Sequence, residues 1–510
     1  MECFSEKAEF NLPVTSLFDW HVRNGAFERL SPPWRPLYIV SKHGSIQEGG
    51  IVTVKLPVAG GLGFKWQVRH KNYAKNKTFT DTQVKGFFSH WEHRHNFFDM
   101  GNKSALEDIV YYKLPLGPFG SILSKIIHNN FGPMFGYRHR VTKMDLEAHF
   151  AFNNANIKSI LVTGSSGFVG SALVPFLTTG GYDITRLLRT TKSTPKGDYD
   201  IAKRIYQGKT TTRNTVSNPS KGSESQEGLT STDADWKFDA VVNLNGENIF
   251  GLWSGGKKKR IFDSRVKFTQ SLCKSLSEMD KPPKVLISAS AIGIYGNNSG
   301  RIFDDKGEDD DPDGDYDLMS SETRTENNDK EEHDFLSNLC REWEEATDIA
   351  KSAGIRIVNL RMGLVLGASG GMIKKLATLN KLKVNITTGH NNWLCWISLD
   401  DLLRVILFCI CNENISGPVN AVSPSFIKYS DFMEILGRTW ATKLNINIPS
   451  KIVEILGREM ARYTILSNTR ATPKKILSHG FSFALEHPEM ALRHTLGKIP
   501  AQTNKGMIVG

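Results

Sequence analysis

The 510-residue chain is poor in cysteine. Its six cysteines (Cys3, Cys273, Cys340, Cys395, Cys409, Cys411) are scattered, and no two form a CxxC pair. That excludes a secreted disulfide framework, argues against zinc-ribbon or thioredoxin-like chemistry, and suits a reducing compartment. Long apolar runs are also missing. The longest covers residues 402–411, includes Arg404, and is half of the ~20 residues a membrane span needs. No Lys/Arg run interleaved with aromatics marks a nucleic-acid face, and the basic run at 257–260 is short. The N-terminus carries Glu2, Glu6 and Glu9 and alternates over residues 4–10 like a strand. Neither a signal nor a transit peptide is expected there, so a cytoplasmic location is the expectation, with an organelle such as a plastid left open.

At 39% hydrophobic and 23% charged residues, the chain reads as globular, and its length suggests roughly three domains. The formal charge of +11 is uneven: residues 301–334 hold fifteen Asp/Glu against four Lys/Arg. A basic remainder can attract phosphates or acidic lipids, although a solvated surface with one acidic loop explains it as well. Residues 1–150 contain nine of the fourteen histidines. An alternating strand/helix texture runs over 157–390, and a mostly helical one over 391–497. Residues 190–235, rich in Thr, Ser, Lys and Asn, and the acidic residues 301–334 interrupt this pattern, and both are expected to be disordered surface insertions.

Residues 160–163 are a buried-strand run. They lead into Gly164, Ser165, Ser166, Gly167, Phe168, Val169 and Gly170, and then into a helical pattern over 171–178. In such a turn the first glycine permits tight reversal and the second lets backbone approach a pyrophosphate. The third lets helix and strand pack closely, with phosphates received by free N–H groups at the helix start. The next strand, about 183–188, ends in Leu188 and Arg189 with Arg186 just before. An acidic residue there would suit a free ribose hydroxyl; guanidinium groups suit a 2′-phosphate, which favours NADP, unless both are ordinary surface arginines. Further strands over 238–244, 284–288 and 356–360 each run into polar or glycine-rich clusters. Ligands of open parallel sheets lie beyond such carboxyl ends.

Together the segments 162–170, 243–248, 263–265, 288–296, 343–344, 360–367, 396–401, 417–420 and 473–481 resemble the extended short-chain dehydrogenase/reductase superfamily. Within it they are closest to the atypical "epimerase family" branch with a small C-terminal domain, over about residues 158–496. The resemblance implies NADP contacts on residues 164–169, Leu188, Arg189, Leu244, Asn245, Gly246, Arg265 and Leu364. Asn245 stands where the family usually has Ala, and Ser398 replaces a common His. The N-terminal segment resembles a polyketide-cyclase/START-like (SRPBCC) domain through residues 18–21, 26–34, 91–95 and 137–141. That implies a curved antiparallel sheet gripping a long helix, about 119–141, around an apolar ligand.

The superfamily's proton donor is a Tyr with a Lys four residues on. The expected helix, 334–350, contains neither: Leu336 falls on the Tyr position and Cys340 on the Lys position. YxxxK occurs elsewhere, at Tyr73/Lys77 and Tyr199/Lys203, in unsuitable places. Tyr295 is therefore the first candidate for a substitute acid, with Ser288 or Ser290 as hydrogen-bond partner, and its alternative is a packed turn aromatic. Trp393 and Trp396, with Asp400 and Asp401, are expected to close the substrate side, or to serve domain packing and a helix cap. His93 and His95 share a strand face and His90 lies opposite; with no carboxylate or thiol on that face, no metal site is expected.

The expected architecture is an α+β helix-grip domain (1–150), a doubly wound Rossmann-type α/β domain (157–390) and a small helical lobe (391–497). The expected function is NADP-dependent oxidoreductase or epimerase chemistry on a small molecule. The alternatives are NADP binding without turnover, or apolar-ligand carriage by the N-terminal domain.

Overall fold

The computed structural model of the protein describes residues 1–57, 63–115, 120–187, 237–296, 302–307, 335–380, 383–388 and 390–499. The N-terminal part is a seven-stranded antiparallel sheet in the order β1-β7-β6-β5-β4-β3-β2. Its strands are β1 (Glu2–Phe10), β2 (Tyr38–His43), β3 (Ile51–Pro57), β4 (Gly63–Ala74), β5 (Thr78–Lys85), β6 (His90–Met100) and β7 (Lys103–Lys113). Alternation sets which face is inside: along β6, Trp91, His93, His95 and Phe97 are buried while His90 and Arg94 are exposed. Two short helices, α1 (Val14–Val22) and α2 (Ala26–Leu30), follow β1, and the 32-residue α3 (Gly120–Ala151) follows β7. The expected helix thus extends ten residues further, to Ala151. Trp91, Val110, Tyr112, Phe131 and Phe135 fill one part of the space between sheet and helix. Phe10, Leu17, Phe18, Phe79, Phe97 and Leu146 fill another.

The second sheet has six parallel strands: β8 (Ser159–Thr163), β9 (Asp183–Leu187), β10 (Ala240–Asn243), β11 (Val285–Ala291), β12 (Arg356–Met362) and β13 (Gly417–Ala421). Their order is β13-β12-β11-β10-β8-β9. Continuous apolar runs such as residues 285–287 are buried on both faces, as a sheet covered by helices requires. The helices α4 (Phe168–Thr179), α5 (Gly255–Phe262), α6 (Phe268–Ser277), α7 (Phe335–Glu345) and α8 (Leu399–Cys411) surround it. The chain leaves β8 toward β9 and returns to β10 on the other side, which makes the end of β8 the topological switch point.

Two expected boundaries are corrected. Residues 399–421 belong to the central sheet, because α8 is buried along its whole length from Asp401 to Ile410 and delivers β13 to the sheet edge. Helical texture alone does not separate a buried crossover helix from a lobe helix. The acidic stretch does not begin as a surface loop either. Ile302–Phe303 pairs with Arg470–Ala471, and Asp304 and Asp305 are buried. The remainder of that stretch from 308, and the insertion over 190–235, lie outside the described residues.

The N-terminal part is joined to the rest by charge and shape. Arg29 of α2 donates to both Asp145 oxygens at 2.8 and 2.6 Å and to Asp400 at 2.9 Å, and His494 lies 3.0 Å from Asp400. Burial alone raises the Asp400 carboxyl; the Arg29 guanidinium and His494 more than offset it and hold it below the usual carboxylate range. Ser398, rather than Asp400, caps α8 by accepting from the Asp401 N–H.

Candidate functional site

The turn after β8 is built as a cradle. Gly164 has φ +65°, and a Cβ there would lie 2.5 Å from the Leu244 carbonyl oxygen. A Cβ on Gly170 would lie 2.3 Å from the Gly164 carbonyl oxygen. Both positions exclude any side chain, so strand, turn and helix close on one another. Gly167 is the N-cap of α4, and no side chain satisfies the helix's first N–H groups. Those unpartnered donors and the helix dipole favour a phosphate.

The other expected cofactor residues converge on this turn. Leu244 abuts Gly164, and Asn245 follows it. Arg265 reaches across to Gly246 and donates from Nη1 to the Glu247 carbonyl at 3.0 Å. It sits in a π-helical turn, Asp263–Lys267, a distortion common at functional sites. Burial pushes its guanidinium down to about 10. Phe168 packs into Gly367 and Gly370, which follow Leu364–Leu366, and so ties the turn to the Leu364 strand. Ser165 is buried and accepts from Arg186 Nε at 3.1 Å; Ser166 is exposed and Val169 packs on the core. Leu188 and Arg189 lie outside the described residues. Beneath the cradle runs a buried chain that sequence reasoning missed. Thr163 donates to Asn243, whose amide donates to Thr269, and Trp343 donates to the same hydroxyl.

The expected catalytic residues are drawn into a second network at the ends of β11–β13. Ser290 Oγ donates to Glu344 at 2.7 Å, and Glu344 takes Arg361 through both oxygens at 2.8 and 2.9 Å. Arg361 also donates to the Tyr295 hydroxyl at 2.9 Å. That hydroxyl is 2.7 Å from Asn420 Oδ1 and 2.9 Å from the Asp304 carbonyl, and its ring stacks on Phe303. Burial raises the Tyr295 phenol, with Arg361 opposing. Asp305 accepts from the N–H groups of Asn420 and Lys475 at 2.5 and 2.7 Å, which closes the knot against the C-terminal segment. Glu344, Arg361, Asn420 and Asp305 carry this geometry; the first three stand in the matched segments, but nothing in the sequence joins them. Ser288 is fully buried, and its Oγ has no hydrogen-bond partner. Leu336, at the usual Tyr position, packs against Gly293, and Cys340, at the Lys position, is buried.

The substrate-side reading of Trp396 is corrected. It is 1% exposed within an apolar cluster and donates its indole N–H to the Ser425 carbonyl at 3.0 Å, leaving no face for a substrate. Trp393 is half-buried, with the Arg470 and Lys428 cations over its ring.

The reading of His93 and His95 as imidazoles without a carboxylate on their face is also corrected. Strand register places Asp81 opposite His93, and Asp108 opposite His95. Asp108 accepts from His93 Nε2 at 3.0 Å and from His139 Nε2 at 2.7 Å. Cross-strand pairing, which brings distant residues onto one face, is not legible from a single strand.

A doubly wound parallel sheet with a glycine cradle at its switch point defines a Rossmann-type α/β protein. More particularly, the chain belongs to the NAD dependent epimerase/dehydratase family, whose pattern matches residues 160–421. A domain of unknown function (DUF1731) matches residues 448–495. An epimerase family protein of Mycobacterium bovis is 31% identical over 326 residues, 64% of this chain and 93% of its own length. The crystal structure of a nucleoside-diphosphate sugar epimerase from Corynebacterium glutamicum is similar over 98% of this chain and 91% of that one, with a TM-score of 0.69 and 26% identity. That similarity includes the N-terminal sheet. The human epimerase family protein SDR39U1, solved with NADPH, shares the fold over 67% of this chain and all of its own, with a TM-score of 0.51 and 24% identity. Among the described residues, no helix is long and apolar enough to cross a membrane.

Proposed function

We propose that the chain binds NADP(H) at the turn 164–170 and acts as an oxidoreductase or epimerase on a small molecule held between the sheet's carboxyl edge and the C-terminal segments. One observation carries this reading. A side-chain-excluding glycine cradle lies under an uncapped helix start, with the Arg186 guanidinium on Ser165. The α4 N–H groups receive the pyrophosphate, Arg186 favours the 2′-phosphate, and Arg265 lines the turn at Gly246. The NADPH held by the human relative supports the choice of nucleotide. When bound, the nicotinamide supplies or takes up hydride. The chain's own part is to position and to exclude water, since Ser290 and Tyr295 are already held by Glu344, Arg361 and Asn420.

That engagement, with Leu336 and Cys340 in place of the usual dyad, favours a second reading in which NADP is bound without turnover. The antiparallel sheet and long helix support a START-like fold for residues 1–151.

Calorimetric titration of the full chain with NADPH and NADH tests the proposal. NADPH binds, and Arg186→Ala weakens it about tenfold or more while leaving NADH nearly unchanged, the loss of one charge-assisted phosphate contact. Absence of binding by either nucleotide overturns it. Tyr295→Phe then separates the two readings: turnover lost with nucleotide affinity kept places the hydroxyl in the reaction.

A further inference from the structure

The N-terminal sheet holds a cluster that the nucleotide site does not use. On one face, His70 of β4, Asp81 of β5 and His93 of β6 stand in one cross-strand row. Phe79, His95 and Asp108 stand in the next. One ligand atom from each of Asp81, His93 and His95 lies within 4.8 Å of the others, and both histidines are at least nine-tenths buried. The two imidazole rings are 3.9 Å apart, centroid to centroid. His95 Nδ1 is 2.7 Å from Asp108 Oδ1, and its Nε2 is 3.6 Å from Asp81 Oδ2. The ring is thus an ion-pair partner held between the two carboxylates. Two buried imidazoles converging with a carboxylate form a donor cluster of the kind a metal ion uses.

We propose that Asp81, His93 and His95 bind a divalent transition-metal ion of the zinc class between β5 and β6. Two imidazoles and a carboxylate are a zinc ligand set, with water as the fourth ligand. The surroundings match what such ligands need. His93 donates Nε2 to Asp108, which leaves Nδ1 for the metal, and Asp108 beside His95 Nδ1 leaves Nε2 turned toward Asp81. Asp81 is oriented by His70 at 2.6 Å, and Asp108 by His139 at 2.7 Å. Asp108 stands beside both ligand histidines, the carboxylate–histidine outer shell that metal sites employ.

The test uses the full chain, stripped with chelator and then equilibrated with zinc or cobalt(II). The expected result is one zinc per chain retained through gel filtration, measured by mass spectrometry, and a tetrahedral cobalt absorption spectrum displaced by zinc. Thermal unfolding moves upward with zinc. His95→Gln and Asp81→Asn abolish retention, and His70→Gln, a positioning change, weakens zinc about 10- to 100-fold. A folded, stripped wild-type chain that takes up no zinc overturns the proposal, and so does retention equal in His95→Gln. The wild-type titration decides the matter even where a variant fails to fold, and it is independent of nucleotide binding.

Discussion

Gly170 shows how much a single atom decides. A methyl group there would meet the Gly164 carbonyl oxygen at 2.3 Å and the Ser165 Cα at 2.8 Å, both of them backbone atoms. Gly170→Ala is therefore expected to push α4 away from β8, costing about 1–3 kcal/mol by overpacking. NADPH affinity should fall at least as steeply. Urea unfolding and calorimetry on the same variant check both; an alanine variant that binds normally would show that the turn relaxes. By contrast, Ser166 is exposed, and its replacement should leave stability within about 0.5 kcal/mol.

At the scale of elements, the ends of β11, β12 and β13 are held by the Ser290–Glu344–Arg361–Tyr295 network. Burial by itself lowers the Arg361 guanidinium, and the bidentate Glu344 carboxylate more than reverses this. Glu344→Gln leaves a nearly buried cation with a neutral partner, and a loss of about 3 kcal/mol is expected, in the range for breaking a buried pair. Tyr295→Phe removes a hydrogen bond from the Arg361 cation and those to Asn420 and the Asp304 carbonyl, and should cost about 2 kcal/mol. Chemical denaturation of the two variants against wild type measures the difference; equal costs would mean that the pair is not what holds the strand ends together.

At the scale of the whole molecule, Arg29 is the hinge pin between the antiparallel and parallel sheets. Arg29→Ala strands Asp145 and leaves Asp400 with His494 alone, and about 3–5 kcal/mol is expected to be lost. The loss should appear in calorimetry as an N-terminal transition separating from the rest. The same junction predicts acid sensitivity. His149 lies against Gly180 and Phe176, and burial, with Arg29 and Arg23 nearby, pushes it down to about 3. Its folded-state pKa is below the unfolded value of 6.5. Above that value both states are neutral. As the pH falls below it, only the unfolded chain takes the proton, so stability is lost on acidification. At pH about 5 the loss is about 2 kcal/mol. Thermal unfolding of His149→Gln at pH about 7.5 and about 5 should show a smaller acid-induced drop than wild type.

What the sequence by itself determined is local and ordered along the chain. The apolar run before Gly164, the glycine spacing and the helical pattern after it state strand, turn and helix, and so place the nucleotide turn. Alternation in residues 90–97 states which side of β6 faces inward. Tertiary structure decided everything that depends on which strands become neighbours. Asp81 and Asp108 lie in other strands than His93 and His95, and only the cross-strand register sets them on one face. Glu344, Arg361 and Asn420 come from a helix and two strands whose ends meet only once the sheet is assembled. Residues 399–421 read as part of a helical lobe, yet they close the central sheet. Trp396 and Asp304 look like surface chemistry in one dimension and are buried in three. Side-chain period is a property of one segment; pairing, burial and charge compensation belong to several segments at once, and no single segment records them.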